Sequence, residues 1–443
     1  MIDLLRQKLA SQFGRDRPVA RRSAMLVIAS TIGQGLLFLG TLVAARFFDP
    51  SAFGVLGVFA TFAVFFGMIA TGRLEAAIPI PRRHHRARSI VVVTALIVPV
   101  VAAVSWVVMS VVGGVLLAWT DAVVLESMPW AVPAATLVLG LRALAIWWAT
   151  RRSLVGGLAA GRIANGGVMA AIFVGAALLD PRVEWMIAAW VAGQAAELVA
   201  VGVVVGLDPS FRERGRGHKR WRRALLRYRR FPTILVWAHL LEQLGSHLPT
   251  TLVSGGFGAD VAGQFNLIQR IIARPVAIIG SSASVVLMSE SSRAFRAGEP
   301  IRPVLVACLR RLTTLALVVF VPIAVIGPWL VPMVLGEGWS ASGIYLLALL
   351  PGVAADFIVI PVFPLLGLVE RLWTQLAGSV LRIGLVASAI MGFAEAGISA
   401  TIMMLGVSGA SIVAGVFGLV MCWRGTASDR LRGDRATLGT STS

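Results

Sequence analysis

The sequence predicts an all-α polytopic membrane protein: about twelve transmembrane helices, in two six-helix lobes around a central cavity. Three observations carry this. The 443 residues are 57 % hydrophobic and only 14 % charged, with a mean hydropathy of +0.84, too apolar for one soluble core. Twelve apolar stretches are each long enough to cross a bilayer. The gaps between them alternate between basic and acidic, except one that carries only the balanced pair Glu370 and Arg371.

Taken in order, the spans are expected at 24–46, 53–78, 89–117, 130–150, 154–179 and 184–207, then 232–256, 261–288, 305–327, 341–363, 372–393 and 397–423. Residues 1–23 are basic like a signal-peptide head, but the apolar run Ala24 to Ala45 is long enough to span by itself. One set of gaps carries Arg6 to Arg22, Arg82 to Arg88, Arg151 with Arg152, Arg212 to Arg230, Arg293 to Arg302 and Arg424 to Arg435. The other carries Asp49, Asp121 with Glu126, Asp180 with Glu184, Asp260, Glu337 and Glu395. Because Lys and Arg are retained on the cytoplasmic side during insertion, the basic gaps and both termini are expected in the cytoplasm of a cell (inner) membrane protein.

The longest polar interruption, Asp208 to Arg230, separates six spans from six. The expected organisation is an N-terminal lobe over 1–207, a basic cytoplasmic linker over 208–231, a C-terminal lobe over 232–423 and a cytoplasmic tail over 424–443. Trp119, Trp130, Trp185, Trp221, Trp237, Trp329, Trp339, Trp373 and Trp423 fall near span ends, as interfacial anchors would; Trp106 and Trp190 are interior and need packing. The halves echo each other. Thr41-Leu42-Val43 followed by Phe47, Asp49 and Gly54 matches Thr251-Leu252-Val253 followed by Phe257, Asp260 and Gly263, both at the acidic turn after the first helix of a half.

The net charge of +19 would suggest nucleic acid in a soluble chain. Here it is concentrated in loops where orientation and anionic membrane lipids account for it, so no nucleic-acid partner is expected. His84 and His85, inside Arg82 to Arg88, read as headgroup contacts rather than metal ligands, and Cys308 with Cys422 reads as packing. No Walker loop, paired zinc ligands or nucleophile elbow occurs, so neither cofactor, metal nor catalytic residue is assigned and the chain is not expected to be an enzyme.

The polar residues inside the spans are the informative ones. Arg142, Arg162, Arg270, Arg274 and Arg382 lie near mid-helix. At about 2.5–3.5 kcal/mol each on the insertion scale, they should face protein or a wet cavity rather than lipid. Asn266, Arg270 and Arg274 fall at i, i+4 and i+8 with Gln269 beside them, one stripe whose two guanidiniums suit a phosphate or diphosphate. The preceding span has its own stripe of His239, Glu242, Gln243, Ser246, His247 and Thr250. Glu242, Glu197, Asp356, His239 and His247 are candidates for ion coupling, and each acid could instead pair with a nearby arginine to hold helices together.

The first acidic turn, Ala44-Ala45-Arg46-Phe47-Phe48-Asp49-Pro50-Ser51-Ala52-Phe53-Gly54, is followed by four further landmarks: Tyr228-Arg229-Arg230-Phe231-Pro232, Gly256-Phe257-Gly258 with Ala262-Gly263-Gln264-Phe265, Arg270 and Arg274-Pro275, and Gly336-Glu337-Gly338-Trp339 with Ser342-Gly343. In this order and spacing, over nearly all the spans, the chain resembles the O-antigen-type polysaccharide flippases of the multidrug, oligosaccharidyl-lipid and polysaccharide exporter superfamily. The resemblance implies a transporter that moves a lipid-linked oligosaccharide, polyprenyl-diphosphate-linked, from the inner to the outer leaflet by alternating access. It serves surface polysaccharide or lipopolysaccharide biosynthesis, beside a polysaccharide polymerase and chain-length machinery. Arg270 and Arg274 are then the leading diphosphate ligands, and Asn266, Gln269, Arg142, Arg162 and Arg382 further substrate contacts.

Rival readings are a cation-coupled drug antiporter or a peptidoglycan-precursor flippase of the same superfamily. The antiporter would want a carboxylate in the first helices, where Ala24 to Ala45 has none, and Glu75 sits beside Arg73. The precursor flippase usually has two more helices. A membrane enzyme of polysaccharide assembly would need a larger outer loop than any here.

Overall fold

The computed structural model describes residues 17–212, 228, 232–233, 236–297, 299–363, 365 and 372–438; most of the expected basic linker lies outside them. Among the described residues there is no strand and there are twelve long helices: α1 Arg17–Phe47, α2 Pro50–Thr71, α3 His84–Trp119, α4 Ala131–Arg151, α5 Val155–Leu179, α6 Val183–Leu207, α7 Val236–Ile268, α8 Arg274–Arg296, α9 Arg302–Leu335, α10 Ser342–Val359, α11 Leu372–Glu395 and α12 Ala400–Leu438. Among the described residues, all but α7 and α8 contain a segment long and apolar enough to cross a membrane, ten such spans. Their outward apolar residues, such as Val111, Val115, Val325, Trp329 and Met333, are what hydrocarbon rather than water would cover. The chain is a multi-pass membrane protein.

Three boundaries differ from expectation. The second helix ends at Thr71, because Gly72 (φ 54°) and Arg73 (φ 57°) both turn left-handed. Glu75 is therefore outside that span, in a 3₁₀ turn at Leu74–Ala77, paired with Arg73 at 3.3 Å. The expected turn after residue 256 shrinks to one residue, Gly258 (φ 87°, ψ 165°), with helix on both sides inside α7. The expected eighth span thus begins within α7 and is interrupted by a π turn, Gln269–Ala273, before α8. Pro275 explains the interruption: it has no N–H for the carbonyl four residues back, so the helix widens one turn earlier.

Two tryptophans also depart from expectation. Trp339 is 2 % exposed and meets Phe53 edge-on at 5.3 Å, a packing residue rather than an interfacial anchor. Trp106, expected to be packed, is 55 % exposed on the apolar face of α3.

The chain forms two compact units. Unit one comprises Met1–Phe48, Phe62–Leu116 and Val123–Leu240. In it α5 packs against α1 and α6, and α6 against α4. One of its cores gathers Leu74, Ile78, Ile90, Leu144, Trp148, Val201 and Val205. Unit two comprises Asp49–Thr61, Leu117–Ala122 and Leu241–Ser443. Here α10 packs against α9 and α12, and α11 against α12, around Phe265, Phe320, Leu346, Leu349, Phe357, Ile390, Met403 and Met404.

Asp208, just past the end of α6, staples one end of unit one. Its carboxylate accepts from Trp148 Nε1 and Arg152 Nε, both at 3.1 Å, and from the Ser210 backbone N–H and hydroxyl at 3.1 and 3.0 Å. Burial raises its pKa, but the Trp148 and Ser210 hydrogen bonds and the Arg152 charge outweigh it, holding the carboxyl below its ordinary value of 3.8. A carboxyl whose folded pKa is lowered contributes stability above the unfolded value and loses it as pH falls through the folded one. Asp208→Asn should therefore lower stability at neutral pH by about 1–3 kcal/mol and remove that share of the acid-induced loss below about pH 4, read from apparent melting temperatures in detergent across pH.

Candidate functional site

Unit one contains a charged trio inside its membrane-spanning helices. Packing of α6 against both α4 and α5 puts one carboxylate within reach of two neighbouring helices. Glu197 on α6 is 2 % exposed; its Oε2 accepts from Arg142 Nη1 on α4 at 2.5 Å, and its Oε1 lies 3.6 Å from Arg162 Nε on α5. Asn165 Nδ2, one turn along from Arg162, reaches Oε2 at 3.4 Å. Two guanidiniums against one carboxylate leave the trio a net charge of +1. Arg142 is about a quarter exposed and Arg162 about half, so both retain surface for a second anion. One turn before Glu197, Gln194 Oε1 is buried without a hydrogen-bond partner.

Unit two holds a second pair and the residues of the expected stripe, which the π turn interrupts. Arg382 Nη2 on α11 donates to Asp356 Oδ2 on α10 at 2.7 Å. Asn266 lies near the end of α7, half-buried, with its Oδ1 enclosed and unpartnered. Gln269 and Arg270 follow in the π turn, where the helix is wider and side chains are re-aimed relative to an α-helical i, i+4 stripe. His239 and His247 are half-buried on α7, and the His247 carbonyl accepts the Thr61 hydroxyl at 3.2 Å. The side chains of Arg274 and Glu242 lie outside the described residues.

The structure thus brings Arg142, Arg162 and Glu197 together in unit one and pairs Arg382 with Asp356 in unit two, while Asn266, Gln269 and Arg270 follow one another along α7 and the π turn. Sequence reasoning missed Asn165, whose i, i+3 spacing from Arg162 placed it on the same face. It also read Asp121 only as a loop charge, whereas Asp121 Oδ2 accepts the Ala259 N–H at 3.2 Å.

Comparison with known proteins now adds to this geometry. Residues 43–343 match the model of a family described as polysaccharide biosynthesis protein. The chain belongs to that family. Among solved structures, this polysaccharide biosynthesis protein is similar to lipid II flippase MurJ in an inward closed conformation (TM-score 0.73, 10 % identity, covering 94 % of this chain and 93 % of that one). It is also similar to an inward-facing multidrug resistance transporter of the MATE family in the MOP superfamily (TM-score 0.65, 11 % identity, 94 % and 100 %) and to a Vibrio cholerae MATE transporter (TM-score 0.56, 14 % identity, 93 % and 98 %). At such identities the likeness establishes the fold. No curated protein matches the sequence.

Proposed function

We propose that this protein is a flippase that carries a lipid-linked oligosaccharide, joined through a polyprenyl diphosphate, from the inner to the outer leaflet of the cell (inner) membrane for surface polysaccharide or lipopolysaccharide assembly. Family membership supports the biosynthetic setting. The observation that carries the reading is the trio, two arginines sharing one buried carboxylate within spans, because a diphosphate is the ligand best able to compete for both guanidiniums. Arg270 and Arg274 are the leading diphosphate ligands of this reading, Arg142 and Arg162 of the trio secondary ones, and Asn266, Gln269 and Arg382 further substrate contacts.

Without substrate, Glu197 holds Arg142 and Arg162 in place and lowers the cost of their burial. When the diphosphate takes the guanidiniums, the carboxylate loses its partners in a dry environment and must be neutralised by a proton or sodium ion, which couples substrate to ion. Asp356 with Arg382 can act likewise, with Glu242, His239 and His247 as relays. The membrane potential contributes about 2.3 kcal/mol per charge moved per 100 mV. Basic loops and both termini are cytoplasmic in this reading, against anionic lipids, and the product passes to a polymerase and its chain-length machinery.

The test is reconstitution. Purified protein in liposomes carrying a fluorescent polyprenyl-diphosphate oligosaccharide should make inner-leaflet glycan accessible to an external glycosidase. A rate no higher than in protein-free liposomes, together with ion-driven efflux of cationic drugs, would replace this reading with the antiporter one. A peptidoglycan precursor in the same assay separates the two lipid-linked classes.

A further inference from the structure

The segment between α2 and α3 buries polar groups that the transport reading does not use. Gly72 and Arg73 both turn left-handed there (φ 54° and 57°). For Arg73 that backbone is strained by its own Cβ, and the strained residue is the one whose Nη1 meets Glu75 Oε1 at 3.3 Å. The pair leaves one atom of each sign unsatisfied: Arg73 Nε and Glu75 Oε2 are both buried and make no hydrogen bond. Glu75 is 3 % exposed, while the Arg73 side chain is about a quarter exposed, which gives a ligand an approach to the pair.

A second guanidinium and an imidazole end at the same segment. Arg151, the last residue of α4, donates from Nη1 to the Ile78 and Pro79 carbonyls at 3.0 and 2.9 Å, and its Nε is likewise buried without a partner. His84, the first residue of α3, encloses an unpartnered Nδ1. Beside them Pro79, Ile80, Arg82 and Arg83 are exposed, an apolar tip next to two cations where two spans end, the depth at which a bilayer presents its headgroups. All these residues belong to unit one. Arg142 of the trio lies about 13 Å away along α4, so the two sites are separate.

The unsatisfied guanidinium nitrogens require an acceptor, and the unsatisfied carboxylate oxygen requires a donor. A purely anionic headgroup meets the first need and is repelled by Glu75. Phosphoethanolamine meets both: its phosphate accepts from two guanidiniums, and its primary ammonium has N–H groups for a carboxylate, which the quaternary ammonium of choline lacks. We propose that this corner of unit one binds the headgroup of an ethanolamine phospholipid from the surrounding leaflet, with the phosphate on Arg73 and Arg151 and the ammonium on Glu75. The proposal is independent of what the protein transports.

Native mass spectrometry of the purified full-length protein tests it. The protein should retain dioleoylphosphatidylethanolamine about tenfold more tightly than the phosphatidylglycerol or phosphatidylcholine with the same chains, the size of one charge-assisted hydrogen bond to a carboxylate. Glu75→Gln should bring the ethanolamine and glycerol lipids to within about twofold of each other, and Arg73→Gln should weaken all three. Arg182→Gln, which removes an exposed pair with Asp180, should leave the order unchanged. The three-lipid comparison on the parent protein stands whether or not the variants fold. No preference for the ethanolamine lipid, or a preference unchanged in folded Glu75→Gln protein, overturns the site and leaves its buried atoms to water. Retention of chain-free glycerophosphoethanolamine as tight as that of the lipid overturns a membrane lipid as the ligand.

Discussion

Glu197→Gln should destabilise this protein by about 3 kcal/mol. The carboxylate is 2 % exposed and holds two guanidiniums. Removing one partner of a buried ion pair costs about 3–5 kcal/mol because the remaining charge is left uncompensated. The half-exposed Arg162 keeps its access to other partners, which places the cost toward the lower end, and Arg142 carries most of it. Arg142→Gln in the Glu197→Gln background should therefore recover most of the lost apparent melting temperature, and Arg162→Gln less. A Glu197→Gln protein as stable as the parent would mean that the trio contributes nothing to the fold.

The largest effect on activity is expected from Arg270 and Arg274 together. If both grip the diphosphate, Arg270→Gln with Arg274→Gln removes two charge-assisted contacts worth about 1.5–3 kcal/mol each, a loss of a hundredfold or more in flipping rate. The protein should still insert, since removing mid-helix charge eases insertion. Lysine at either position should rescue only in part, keeping the attraction but losing the planar two-toothed geometry. The measurement is inner-leaflet accumulation of lipid-linked glycan in cells complemented with each variant at matched expression. Normal surface polysaccharide from the double glutamine variant would return both residues to a structural role.

The helices were legible in the sequence because a bilayer requires apolar runs of a minimum length, and such runs are visible without knowing any contact. The ends were legible only where a residue's backbone preference showed. Thr71-Gly72-Arg73 contained the glycine that stops α2, but the apolar Leu74, Ala76, Ala77 and Ile78 beyond it concealed the stop and drew Glu75 into the span. The turn at Gly258 was placed correctly and sized wrongly, because one left-handed glycine does the work of the expected loop.

For the candidate site, hydropathy fixes a side chain's depth and says nothing of the helix's rotation. Arg142, Arg162 and Glu197 were each recognised as buried charges. That they share one point is set by the rotation of α4, α5 and α6, which depends on contacts between residues 32 to 55 positions apart in the sequence. Trp106 failed for the same reason, its depth being right and its direction toward lipid unread. Asp121 was hidden differently: its partner is a backbone N–H, which leaves no trace in the sequence.

The π turn at Gln269–Ala273 makes the helix longer by one residue than the space it occupies. Such a surplus need not stay where it is. Passed one position along the chain, it turns the residue it crosses by about 100°, the angle of one helical step, while both helix ends keep their places. A residue in that turn, such as Arg270, then takes a new bearing by exchanging backbone hydrogen-bond partners within a single turn, without either flanking helix having to slide.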